Sequence, residues 1–79
     1  MTKQDFLAEL SGIVQLPAGM RLQEDTVIAD YWDSLAQIGV LAMLDKEFAV
    51  TLSMDELTTI RTVGDVMGLV RNKGGVFDT

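Results

Sequence analysis

Apolar residues in the first part of the chain fall at helical spacing: Phe6, Leu7, Leu10, Ile13 and Val14 recur until Pro17 interrupts them. Thr2 with Asp5 three positions later has the form of a capping box, so the pattern predicts a first helix over residues 3–15. Pro17-Ala18-Gly19 marks its stop. From there to Trp32 neither a helical nor an alternating pattern holds, and the stretch reads as a long loop pinned to the core by Met20, Leu22, Val27 and Ile28. Structureless connections longer than about 12–15 residues in a small domain tend to serve a function.

Asp33 is a good N-cap for a second helix over residues 34–47. Advancing about 100° per residue places Ile38, Val40, Leu41, Leu44 and Phe48 on one broad arc, which is expected to face the core. The other arc carries Leu35, Ala36, Gly39, Ala42, Met43 and Lys46. It is small and apolar where a surface helix is normally charged, and is therefore the expected partner surface. Ser53 with Glu56 predicts a short third helix over 54–59, and Thr62 with Asp65 opens a fourth with the stripe Val63, Val66, Met67 and Val70. Gly74-Gly75 should end it at about Lys73, leaving a flexible tail over 75–79. With no strand or hairpin signal, the reading is all-α: one domain, residues 1–79, folded as a small four-helix bundle of three longer helices and one short one, with a long loop between helices one and two.

Composition narrows the function. A chain of 79 residues is long enough for a modest core but too short for a catalytic domain with its own deep cleft. The longest apolar run, Ile38 to Leu44, is far shorter than a membrane span, and the start of the chain lacks a secretory pattern, so a soluble cytoplasmic protein is expected. With no Cys and no His, thiolate catalysis, zinc-thiolate sites and the commonest general base are excluded. The net charge of −6 repels nucleic acid and anionic lipid and favours electropositive protein partners. Asp45-Lys46-Glu47 and Asp55-Glu56 read as solvated helix charges, and nothing matches a calcium loop, so no metal site is assigned. Met20, Met43, Met54 and Met67 read as core filler, and Tyr31 and Trp32 as packing residues that fix the chain's entry into helix two.

The chemistry-bearing feature is Trp32-Asp33-Ser34-Leu35, a serine in the first turn of an apolar helix, directly after its cap and the long loop. Backbone N–H groups and the helix dipole favour an anion there, by roughly 0.3–1 kcal/mol. A serine hydrolase is excluded because no His or Lys in the motif would activate the hydroxyl.

Asp33-Ser34-Leu35, the helix end Leu44-Asp45-Lys46-Glu47-Phe48, and the run Ile60-Arg61-Thr62-Val63-Gly64-Asp65-Val66 resemble the acyl carrier protein family in order and spacing, without gaps from Asp33 to Val70. The first helix and loop match only in kind. The resemblance implies a four-helix bundle whose serine, here Ser34 between Asp33 and Leu35, receives 4′-phosphopantetheine from coenzyme A through a separate phosphopantetheinyl transferase. The arm's terminal thiol would then hold acyl groups as thioesters for fatty-acid, polyketide or other specialised biosynthesis. The chain itself would be no enzyme and have no catalytic residue. Its implied partners are the transferase, an acyl-loading ligase or acyltransferase, and downstream synthases or transferases, which a monomer would visit in turn. Carriers of primary fatty-acid synthesis usually show Leu-Gly-Ala before the motif and acidic residues along helix two. Here Asp30-Tyr31-Trp32, Ala36 and Gly39 stand in those places, and the Trp-Asp-Ser-Leu form looks more like stand-alone carriers of dedicated pathways. D-alanyl or aminoacyl carriers share the Asp-Ser pair, and an unmodified helical adaptor of the same fold is the alternative from another class.

Overall fold

Local hydrogen bonding starts each of the four α-helices in a computed structural model that describes residues 1–78. The helices are α1 (Lys3–Ile13), α2 (Ser34–Phe48), α3 (Met54–Thr58) and α4 (Val63–Asn72), with a 3-10 turn at Ala29–Tyr31 inside the long loop. Among the described residues no strand forms, only one antiparallel bridge between Val27 and Thr62. The all-helical bundle expected from the sequence is the observed fold.

The caps form largely as spaced. Thr2 Oγ1 accepts from Asp5 N at 3.0 Å, although Asp5 returns no bond to Thr2. Both halves of the box form at Ser53 and Glu56, where Lys73 Nζ also lies 3.0 Å from Glu56 Oε1. The Ser53 N–H first, and Lys73 after it, hold the half-buried Glu56 carboxyl below its usual range. At α4, Asp65 Oδ2 accepts from the N–H groups of both Arg61 (2.9 Å) and Thr62 (3.0 Å). Those two bonds, in that order, hold Asp65 below the ordinary aspartate value of 3.8.

A pH prediction follows from Asp65. Its folded pKa is depressed, so its contribution is complete above about 3.8 and is lost as pH falls through the lower folded value. Asp65→Ala is expected to cost about 1 kcal/mol at neutral pH. The gap between wild type and variant should close as pH drops below the ordinary aspartate value; urea midpoints at pH 7 and in the acid range would measure it. A gap that stays constant with pH would remove the charge from the argument.

The end of α1, the loop and one surface of α2 differ from expectation. Helix α1 stops at Ile13 rather than residue 15, because Val14 adopts extended backbone and turns fully into the core. Part of the predicted loop is ordered by bonds to the α3–α4 junction: Ile28 N and Ala29 N donate to Arg61 O, Val63 N to Thr26 O, and Gly64 N to Glu24 O at 2.7 Å. Ile28 is fully buried and Leu22 partly so, whereas Met20 and Val27 are exposed and pin nothing. Of the methionines read as filler, Met43 and Met67 are core and Met20 and Met54 are not.

The arcs of α2 are corrected. Its buried residues are Ala36, Val40, Met43 and Leu44, while Ile38 is 64 % exposed, and Leu41 and Phe48 are only partly buried. Ala36 and Met43, expected to meet partners, belong to the core. A helix apolar on nearly every side gives periodicity no contrast to choose a face. What positions α2 is instead a close approach: a Cβ on Gly39 would stand 2.7 Å from Ile13 Cγ2, so α1 rests on α2 where a side chain is missing.

The tail, expected to be flexible, makes contacts of its own. Gly74, at φ 94°, reverses the chain after α4. Gly75 is then buried, and the Phe77 ring lies 5.1 Å from both Phe6 and Phe48, with the Arg71 guanidinium 5.2 Å from its centroid. Asp78 N donates to Met1 O at 2.9 Å. Gly75 and Phe77 therefore pack against the helices while Val76 and Asp78 stay exposed, and Thr79 lies outside the described residues. The radius of gyration, 11.4 Å, agrees with the 11–12 Å or so expected of a folded chain of this length, so the long loop is held close to the helices.

Candidate functional site

The chain enters α2 through a bonded corner. Tyr31 N donates to Ile28 O at 2.9 Å to make the 3-10 turn, and Trp32 Nε1 donates to Leu57 O of α3 at 2.9 Å. Trp32 thus ties the loop to α3, the packing role expected of it. Gln37 Nε2 donates back to Trp32 O at 3.3 Å, and Asp33 Oδ1 accepts from Ala36 N at 2.8 Å as the N-cap. With the cap made by Asp33, the Ser34 hydroxyl is left free: it is exposed in the first turn of α2 and makes no hydrogen bond to the described residues.

Asp33, Ser34 and Leu35 are all exposed, with Leu35 at 74 %. The surface continues along α2 through Ile38 and Ala42. From Ser34 to Leu44 the helix carries no charged residue. On one side of Ser34 opens a cleft of about 210 Å³, lined by Ile13 and Gln15 from the end of α1, Asp30 and Tyr31 from the 3-10 turn, and Asp33, Leu35 and Ala36. Ile13, Gln15 and Asp30 were not legible as site residues, because only the packing of α1 on Gly39 carries the first two to the start of α2.

This arrangement suits attachment better than catalysis. A hydroxyl at a helix start, with no base bonded to it, does not attack a substrate unaided. It can be modified by a separate enzyme, because nothing covers it and open space adjoins it.

Residues 7–70 match the family model described as the phosphopantetheine attachment site. The chain belongs to that family of carrier domains. Members hold a covalently attached 4′-phosphopantetheine, and the acyl carrier role comes with it. The carrier is 27% identical over 75 residues to the acyl carrier protein of Rhodococcus erythropolis, an alignment covering 89% of this chain and 82% of the relative. No solved structure gives a significant match to the carrier. No helix among the described residues of the carrier is long and apolar enough to cross a membrane.

Proposed function

We propose that Ser34 is the attachment residue and that the chain carries acyl intermediates as thioesters on its arm, as a stand-alone cytoplasmic carrier for a dedicated fatty-acid, polyketide or other specialised route. The observation that carries this reading is the free Ser34 hydroxyl, exposed at the start of α2 while the neighbouring Asp33 makes the cap. The residues present fit the group. The exposed first turn offers backbone N–H groups to a phosphodiester, and Asp33 and Leu35 flank it without covering it. When bound, the arm supplies the thiol that this chain, with no Cys, lacks. The chain's own residues do three things: Asp33 holds the helix start, Ser34 offers the oxygen, and Trp32 fixes the corner against α3.

Partner enzymes dock where Ser34 is accessible. Leu35, Ile38 and Ala42 form that surface, and because α2 is uncharged until Asp45 the contact there is apolar; the acidic residues elsewhere steer electropositive partners from a distance. The partners are a phosphopantetheinyl transferase, a loading ligase or acyltransferase, and a downstream synthase or transferase.

Incubation with coenzyme A and a broad-specificity phosphopantetheinyl transferase is expected to raise the intact mass by one arm, with peptide mapping placing the increment on Ser34. A chain that stays unmodified, yet binds partner enzymes, would be an adaptor and not a carrier.

A further inference from the structure

The cleft beside Ser34 is not required for attachment, which needs only an exposed hydroxyl. Its position is informative because both chain neighbours of that serine, Asp33 and Leu35, line it. Ser34 itself does not line it, so a group tethered there starts beside the cleft and reaches it by passing Asp33 or Leu35. We propose that this cleft, between the end of α1, the 3-10 turn and the start of α2, is a seat for the uncharged amide portion of the arm; the inference rests on attachment at Ser34.

Chemistry and size both favour that portion over the alternatives. Ile13, Leu35 and Ala36 give the lining apolar surface that suits the branched methyl groups of a pantetheine. Gln15 and Tyr31 also line the cleft, and neither side chain makes a hydrogen bond to the described residues. They are free to pair with the hydroxyl and amide groups of the arm. Asp30 and Asp33 also border the cleft, and two carboxylates repel a phosphodiester. The phosphate accordingly stays outside at the helix start, and the neutral segment enters. The cleft volume of about 210 Å³ equals roughly seven waters, below the 300 Å³ or more of a pocket that encloses a whole drug-sized ligand. It takes part of the arm and leaves the cargo outside.

Weak contacts are enough. Tethering places the arm at an effective concentration in the millimolar range, so one or two net hydrogen bonds shift the balance between a seated and a swinging arm. A seated arm keeps its thiol close to the bundle, and a partner docking on Leu35 presses on a wall of the same cleft.

The test uses the modified protein, with intact mass confirming the arm before each measurement. Amide chemical shifts compared before and after modification are expected to move at Gln15, Asp30 and Tyr31 as well as at residues 33–37. In the modified Q15A/Y31F variant, the arm's thiol is expected to react with a bulky disulfide reagent about two- to fivefold faster than in wild type. Gln15 is exposed and Tyr31→Phe removes only a hydroxyl, so the double variant should fold, which circular dichroism checks. Shift changes confined to residues 33–37, together with equal thiol rates in protein whose mass has risen, would overturn the seat and leave attachment standing. A mass that never rises would overturn the attachment at Ser34, and the seat with it.

Discussion

Ser34→Ala is expected to abolish the mass gained from coenzyme A and a phosphopantetheinyl transferase while leaving the bundle folded. The expectation separates two roles that adjoin in sequence. Asp33 makes the N-cap through its bond to Ala36 N, and the Ser34 hydroxyl makes no hydrogen bond to the described residues, so removing it should change stability by no more than about 0.5 kcal/mol. Asp33→Ala gives the reverse: about 1 kcal/mol is lost with the cap, and the oxygen to be modified remains. A variant with alanine at Ser34 that still gains one arm would move the attachment elsewhere. One that loses the arm only by unfolding would show structural dependence and not attachment, and circular dichroism distinguishes the two.

Phe6→Ala is expected to produce the largest loss of stability. Phe6 is completely buried on α1 and meets Phe48 at the end of α2 with ring centroids 6.3 Å apart, and Phe77 of the tail at 5.1 Å. Truncating a buried phenylalanine costs about 3–5 kcal/mol, and a chain of this size has only about 4–12 kcal/mol to lose. The variant should therefore be largely unfolded near body temperature, or show a urea midpoint reduced by a quarter or more. Because Phe6 joins three segments, the loss should also free residues 75–78, seen as new protease sensitivity after Gly74. A cost below about 1 kcal/mol would mean that the ring cluster does not hold the tail.

Neither prediction was equally legible beforehand. The Ser34 motif and the capping pairs Ser53–Glu56 and Thr62–Asp65 could be read because each is complete within four residues, and the structure forms both boxes. The cluster around Phe6 could not. Phe77 sits beyond two glycines in what reads as a flexible tail, and its partners, Phe6 and Phe48, are remote in sequence. The end of α2 was read one residue early, at 47 instead of Phe48: Ala49 closes it at φ 54°, a conformation for which a glycine would be the usual signal.

Helix α2 marks the limit most clearly. Its existence, its cap and the serine at its start follow from the residues alone, because capping and turn chemistry act between near neighbours. Its orientation does not, since Leu35, Ala36, Ile38, Val40, Met43 and Leu44 are all apolar and any of several faces would bury well. The choice was made by packing: Gly39 admits Ile13, Ala36 and Met43 turn inward, and Leu35 and Ile38 are left in solvent beside Ser34. The sequence by itself determined the four helices, the carrier motif and the acidic charge. Only the tertiary structure decided which side of α2 stays exposed, that the tail docks, and that a cleft opens near the serine, because each of these depends on contacts between segments distant in the chain.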